Sequence, residues 1–385
     1  MTSSSGSQQP VQASVNHEAV KALVSSTSKV PNRLVNVSIG HLPLFSSRQP
    51  DHRTDDRWLQ HFNILGSGLT MRLVVIALCI ASCAFCGDWS SLYDAQRLES
   101  QRERLTEDVN LVIAQEIQPF LTSAQARAFS DIQIDLPLSA EPAANPFDFY
   151  SARAGNITLP LLTVAFVEDM SEAYSWLWAN RYSSQTVDEY VGMLRSRASG
   201  DFPGNHYPTP IEALHVPANA LENPAVAQMT DRVRATTLSF MLLHQFGHLS
   251  HRTASEEATL KHDRVNGEEE WADNFALEVM KKNSEPPAGL LMLIHGMLYL
   301  PTVPPKQHPV SRRRLNTMAD YLDARVREFA EGRPNPRLTI VAIRSLADHI
   351  RSAALFLSDT TGQKLWAEQS NQTTISSLMP RRVGQ

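Results

Sequence analysis

Two histidines four residues apart place the strongest constraint on how this chain folds. His244 and His248 lie inside the apolar run at residues 242–249. Hydrophobic spacing predicts a helix over residues 231–250, and positions i and i+4 of a helix lie on one face. Two imidazoles in that arrangement can bind one metal ion. The residue after the first histidine is Gln245, whose amide forms hydrogen bonds but cannot carry a proton.

The composition of the chain limits which residue types can bind a metal ion. The chain has 385 residues, and 42% of them are hydrophobic, which is the composition of an ordinary globular protein. Its net charge of -5 at pH 7 gives no reason to expect nucleic acid as a partner. All three cysteines, Cys79, Cys83 and Cys86, fall in one apolar segment. A metal ion bound elsewhere must therefore be held by His, Asp or Glu.

The N-terminal region predicts export from the cytoplasm. Residues 1–70 read as a disordered extension, and residues 71–88 as a signal peptide, lipoprotein signal or membrane anchor. The uncharged run at residues 73–86 is shorter than the roughly 20 residues of a membrane span but has the length of a signal-peptide core. Residues 80–83 resemble a lipobox. These features suggest translation from Met71 and a location in the cell envelope, and a buried helix is the alternative.

Hydrophobic periodicity predicts a mainly α fold of mixed α+β type, with at most a small sheet. The helical N-terminal part of the domain is predicted at residues 89–200, the metal-binding core at 201–335, and a C-terminal helix and tail at 336–385. The best strand candidate is residues 159–166, with a helix start at the end of that segment as the alternative. The polar last twenty or so residues are expected to fray. Individual helices are predicted at residues 89–129, 171–179, 186–198, 231–250, 268–282, 288–300, 311–330 and 338–357.

Three motifs together resemble the core of a known class of peptidase. In chain order they are His244-x-x-x-His248, Glu269-x-x-Ala272-Asp273-x-Phe275-Ala276, and His308-Pro309 with Arg314 and Leu315. Their order and approximate spacing, over residues 230–325, resemble the zinc metallopeptidases of the M48-type gluzincins. Small-core gluzincins, including phage-exclusion peptidases, share the first two motifs.

The resemblance implies a zincin-like helical metallopeptidase core that binds Zn²⁺ and acts on a polypeptide substrate or client. It implies that His244, His248 and Glu269 hold the zinc ion. It also implies that Asp273 accepts a hydrogen bond from the far nitrogen of a ligand histidine. Arg314 is a candidate for orienting the fold or for polarising the substrate.

The other histidines near the motifs are interpreted as structural. These residues are His251, His262, His295 and His308, and His308 is expected to end or brace a loop.

Gln245 departs from the gluzincin pattern at the position of the general base. A glutamate there would take a proton from the metal-bound water, and its loss lowers hydrolysis by at least roughly 10²–10⁴. Three interpretations stay open. The protein is a pseudo-peptidase, or another carboxylate such as Glu268 or Glu270 reaches the water, or Gln245 is a change in an otherwise active enzyme.

The sequence therefore supports three hypotheses about function. The first is a zinc metallopeptidase-like protein whose hydrolysis of peptide bonds is impaired by Gln245. The alternative is a non-catalytic zinc-binding pseudo-peptidase with a binding or chaperone-like role in the cell envelope. The third is a helical envelope protein without a metal ion.

Overall fold

The structure is a computed structural model, and it describes most of the chain after residue 88. The described residues are 89–139, 146–147, 150–152, 155–255, 264–283, 286–300, 308, 310–333 and 335–382. The predicted extension at 1–70 and the hydrophobic segment at 71–88 lie outside them, so both stay predictions. Within the described residues, no helix is both long enough and apolar enough to cross a membrane.

The predicted mainly α fold is confirmed. Most of the described residues lie in helices. The α-helices among the described residues are α1 Ala95–Val112, α2 Ser123–Ser130, α3 Leu161–Ala179, α4 Gln185–Ser196, α5 Pro210–Ala213, α6 Pro224–Ser255, α7 Arg264–Lys281, α8 Gly289–Tyr299, α9 Arg312–Ala324, α10 Val326–Ala330, α11 Pro336–Phe356 and α12 Thr360–Gln372.

Side-chain caps set where several of these helices begin. The Asp94 carboxylate accepts a hydrogen bond from a backbone N–H in the first turn of α1. Thr122 opens α2 with a reciprocal capping box. The Ser311 hydroxyl accepts a hydrogen bond of 3.1 Å from the backbone N–H of Arg314, which opens α9. This last cap fixes the turn from which the Arg314 side chain extends into the core.

The strand predicted at residues 159–166 is wrong, because most of that segment is the start of helix α3. Pro160 lies at the N-cap with an extended backbone, and the helix begins at Leu161. The first two turns of α3 are buried on every side, including Val164 and Phe166, which are fully buried. A helix that is apolar all round shows no 3.6-residue period, so its sequence cannot be distinguished from that of a buried strand.

A small sheet lies just before this helix in the chain. Strand β3, Asn156–Thr158, runs parallel to β1, Gln133–Asp135, and antiparallel to β2, Tyr150–Ala152. The order in the sheet is β1-β3-β2. Each strand has three residues, so the sheet is a minor part of the fold.

The prediction of a frayed C-terminal segment is also wrong. Helix α12 packs against α4, and Trp366 and Ser370 are buried in that contact. A Cβ added at Gly192 on α4 would lie 2.3 Å from the Ser370 hydroxyl oxygen. The two helices can therefore approach closely only because residue 192 has no side chain, and this contact anchors helix α12.

Helix α6 is the central helix of the core, and it packs against α3, α7 and α8. It approaches α7 closely at Gly247, where an added Cβ would lie 3.0 Å from the Cα of Ala272. Residues with small or absent side chains at a crossing bring two helix backbones together. The crossing lies beside the candidate ligands on both helices, so it sets how close those ligands come.

We expect Gly247→Val to separate α6 from α7 and to lower the free energy of unfolding by about 1–3 kcal/mol, because the added methyl groups overpack a closed interface. Equilibrium unfolding in urea measures the loss. The matched control is Gly267→Val on α7, where an added Cβ meets nothing within 4 Å. That change should alter the free energy by less than about 0.5 kcal/mol. Equal losses at the two positions would contradict the close-packing role.

Candidate metal centre

Four side chains from three parts of the chain converge at the α6–α7 crossing. His244 and His248 extend from α6, Glu269 from α7, and His308 from the segment before α9. One potential ligand atom from each lies within 4.8 Å of all the others. His244, His248 and Glu269 are buried, and the His308 side chain is 11% exposed. The arrangement brings together the two histidines and the acidic residue that the sequence places on separate helices.

The spacing of the ligand atoms is that of a site for one small cation. The Nε2 atom of His244 lies 3.1 Å from Nε2 of His248, 3.1 Å from Nδ1 of His308 and 3.4 Å from Oε2 of Glu269. Glu269 also lies 3.1 Å from His248 through Oε1 and 3.2 Å from His308 through Oε2. In a tetrahedral site with metal–nitrogen distances of about 2.0–2.1 Å, neighbouring ligand atoms lie about 3.3 Å apart.

Asp273 fixes the tautomer of His244. It lies one turn beyond Glu269 on α7, and its Oδ1 is 2.8 Å from Nδ1 of His244. A neutral imidazole that donates its Nδ1–H to this carboxylate presents the Nε2 lone pair to the cluster. Burial alone would lower the pKa of His244, but hydrogen bonds to Asp273 and Glu269 raise it above its ordinary value.

Arg314 compensates the two buried carboxylates. Its guanidinium lies 2.6 Å and 2.8 Å from the two oxygens of Asp273 and 2.8 Å from Oε2 of Glu269, and only 1% of its side chain is exposed. Burial would raise the pKa of both carboxyls, but the hydrogen bonds from the histidines and the charge of Arg314 hold the pKa of Glu269 and of Asp273 below their usual range. Both carboxylates are therefore ionised at neutral pH, as metal binding and histidine orientation require.

The structure places His308 in this cluster, whereas the sequence favours a structural role in a loop. Burial lowers the pKa of His308 to about 4, against the opposing effect of the Glu269 carboxylate. The ring is therefore neutral near pH 7 and has a lone pair to offer a metal ion. Helical spacing cannot relate residue 308 to α6, because a break separates them. The His308-Pro309 pair in the third motif is the signal that could have found it.

The remaining histidines have other surroundings. His295 on α8 lies 3.0 Å from Asp188 and 3.2 Å from the hydroxyl of Tyr174, so it takes part in a separate buried contact. The backbone of His251 continues helix α6, and His262 lies outside the described residues.

Gln245 faces His308. It is 1% exposed, and its amide nitrogen lies 2.8 Å from Nε2 of the His308 ring. Among the described residues, its amide oxygen has no hydrogen-bond partner. Glu270 forms an ion pair of 2.8 Å with Arg313 instead of joining the cluster. Glu268 is half-buried and is not among the grouped ligands either.

This donor set fits a zinc ion. Three imidazole nitrogens and one carboxylate oxygen are ligands that zinc accepts, and their spacing matches its tetrahedral preference. Calcium and magnesium prefer sites built mainly from oxygen atoms. The residues that the structure brings together can therefore hold a metal ion of the zinc type.

Comparison with known proteins points to a peptidase-like core. Residues 194–332 match the family model described as Peptidase U49, which covers less than half of the chain. No curated protein matches, and no solved structure does. The matched region contains helices α6 to α9 and all four grouped side chains, so the candidate metal centre lies inside the part that is similar to a peptidase family.

We expect Arg314→Met to lower the free energy of unfolding of the metal-free protein by about 3–5 kcal/mol, because it leaves two buried carboxylates without their cation. Urea unfolding in the presence of a chelator measures it. The neighbouring Arg313→Met is the matched control, since the Arg313 side chain is 70% exposed in its pair with Glu270. The control should cost less than about 1 kcal/mol. A loss at Arg314 no larger than at Arg313 would contradict the compensating role.

Proposed function

We propose that this protein is a zinc metallopeptidase-like protein in which His244, His248 and Glu269 hold Zn²⁺ and Asp273 orients His244. One observation carries the proposal. The Nε2 atoms of the two helical histidines and the Glu269 carboxylate converge at 3.1–3.4 Å, while Asp273 takes the opposite nitrogen of His244. The similarity of residues 194–332 to a peptidase family supports the same function.

In a site of this type, a bound zinc ion supplies Lewis-acid polarisation of a peptide carbonyl and lowers the pKa of a bound water. The residues of this chain would hold the ion and orient one ligand, but Gln245 cannot accept the proton of that water. Peptide hydrolysis by the chain as it stands is therefore expected to be impaired. Arg314 is proposed as a positioning residue, because its guanidinium is buried between Glu269 and Asp273.

A second candidate function has its own supporting observation. The contact of 2.8 Å between Gln245 and His308 puts an imidazole beside the residue that would otherwise face the water. This arrangement favours a non-catalytic zinc-binding pseudo-peptidase that binds a polypeptide client without cleaving it. The two candidates share the metal site and differ in whether water can react there.

Metal analysis of the purified protein tests the site. We expect about one zinc ion per chain and a chelator-induced fall in the melting temperature, because an ion that binds only the folded state stabilises it. His248→Ala should lose the zinc. His349→Ala is the control, because His349 lies on α11 and its ring contacts the backbone carbonyl of Ser345. Wild-type protein that carries no zinc even after loading would refute the proposal.

An activity assay separates the two candidates. The double variant Gln245→Glu/His308→Ala restores a carboxylate at the general-base position and removes the neighbouring ring. For an impaired peptidase, we expect it to raise chelator-sensitive hydrolysis of dye-labelled casein by on the order of 10²-fold or more, the contribution of a general base. Gln245→Glu/His248→Ala has the same carboxylate but lacks a ligand, and it should show no gain. A double variant that stays inactive would favour the pseudo-peptidase.

We also propose that the protein is exported to the cell envelope through residues 71–88, which would bring it to a membrane. The support is the uncharged run at residues 73–86 after Met71 and Arg72. Mass spectrometry of the native N terminus tests this, because export predicts a mature chain that begins within or just after the hydrophobic run. A peptide from residues 1–60 in the native protein would contradict translation from Met71.

A further inference from the structure

We propose that the cavity between helices α4 and α12 binds a primary ammonium group, the charged head of a small amine or of a lysine side chain, with the carboxylate of Asp188 as its main acceptor. The inference does not depend on the metal centre. The residues that line the cavity come from 185–189 and 366–373. Both stretches lie outside residues 194–332, the part of the chain that is similar to a peptidase family.

Asp188 on α4 is a buried carboxylate that accepts no hydrogen bond from any described residue. It is 3% exposed, and it lines the cavity. Its Oδ1 lies 3.0 Å from Nδ1 of His295 on α8, but the hydrogen bond of that nitrogen is with the Tyr174 hydroxyl at 3.2 Å. A carboxylate out of contact with water is costly without a donor. This wall of the cavity therefore favours a cation that carries N–H groups.

Three of the other polar side chains at the cavity already use their protons elsewhere. The hydroxyls of Ser370 and Thr373 donate to backbone carbonyls one turn earlier in α12, at 2.7 Å and 3.1 Å. The Gln185 amide nitrogen donates to Glu189 at 3.3 Å. What these three side chains can still offer is an oxygen lone pair. A ligand that matches the cavity must therefore supply hydrogen-bond donors.

The charge around the cavity fits a monovalent cation. Glu189 also lines it, but its carboxylate forms an ion pair with Arg381. Asp188 forms no ion pair with an arginine or lysine among the described residues. Arg195 lies 5.6 Å from the centroid of the Trp366 ring but is exposed, so solvent screens its charge. A calcium ion needs roughly six to eight oxygen ligands, and one unpaired carboxylate does not provide such a site.

The size of the cavity selects the kind of cation. It encloses about 240 Å³ of space, part of it open to solvent, and the enclosed part has room for one group of about the size of a water molecule. An ammonium head has that size, whereas a guanidinium is wider. Trp366 supplies an apolar wall for a carbon stem, and its ring stacks on Tyr299 with centroids 4.5 Å apart. A potassium ion is of similar size but has no N–H to donate, so it is the competing occupant.

NMR of the full chain with ¹⁵N-labelled tryptophan tests the site. The chain has six tryptophans, and the indole signal of Trp366 is assigned by its loss in Trp366→Phe. Methylammonium chloride at constant ionic strength should shift this signal along a saturable curve. Tetramethylammonium has the same charge but is larger and has no N–H, so it should give no saturable shift. Potassium should bind at least about tenfold more weakly than methylammonium, because it makes no hydrogen bond to the carboxylate.

Variants of the lining residues test the acceptors. Asp188→Asn keeps the shape and removes the charge, so the Kd for methylammonium should rise at least about tenfold. Asp320→Asn is the matched control, because the Asp320 side chain is 73% exposed, and its Kd should stay within about twofold of the wild type. Ser370→Ala removes one acceptor and should weaken binding about three- to tenfold. This variant tests the site independently of whether Asp188→Asn folds.

Two further probes identify the source of the ammonium group and exclude the metal centre. If N-acetyl-lysine methylamide shifts the Trp366 signal as methylammonium does, the ligand is a lysine side chain, and a response to methylammonium alone indicates a free amine. A chelator should leave the methylammonium affinity unchanged. Equal affinity for potassium would overturn the proposal in favour of an inorganic cation. A Trp366 signal that methylammonium does not shift would also overturn it, and Asp188 would then only brace α4 against His295 of α8.

Discussion

The candidate centre depends on a buried ion pair, in which the guanidinium of Arg314 lies between the carboxylates of Asp273 and Glu269. Two ionised carboxylates out of contact with water are costly unless a cation and hydrogen bonds compensate them. Arg314 supplies a rigid donor fork, which suits two acceptors better than the single ammonium of lysine would. The cap at Ser311 fixes the backbone turn from which Arg314 extends, and the ion pairs with Asp273 and Glu269 hold the guanidinium itself.

Helix α7 carries both carboxylates of this ion pair, and through them Arg314 orients the candidate ligands. Asp273 receives two contacts from Arg314 and in turn contacts Nδ1 of His244, so the guanidinium, the carboxylate and the imidazole form one chain of charge-assisted hydrogen bonds. Glu269, one helical turn earlier, contacts Arg314 through the same oxygen that faces His244 and His308. The close approach at Gly247 lets α6 bring its histidines within reach of both carboxylates. These contacts hold the candidate ligands in place from outside the cluster.

The sequence predicts the pairs of site residues that lie on one helix. It does not predict features that depend on contacts between different elements. The pairs His244 with His248 and Glu269 with Asp273 follow from helical spacing, and the helices that carry them are found where periodicity predicts them. Residues 159–166 have the sequence of a strand, because a helix buried on all sides leaves no periodic signal. Helix α12 gives no clear signal in the sequence, because its polar residues are held by a few contacts, such as those of Trp366 and Ser370 with α4. His308 belongs to no helix, so no spacing rule relates it to His244.

Gln245 and His308 are in direct contact, and both differ from what a catalytic peptidase centre would place there. A glutamate at position 245 could act as a base only where a water molecule reaches it, and the side chain at position 245 instead lies 2.8 Å from Nε2 of the His308 ring. The same ring lies 3.1 Å from Nε2 of His244 through its other nitrogen. A change at residue 245 therefore acts on the cluster through His308 as well as directly, which is why the two positions have to be changed together to separate their effects.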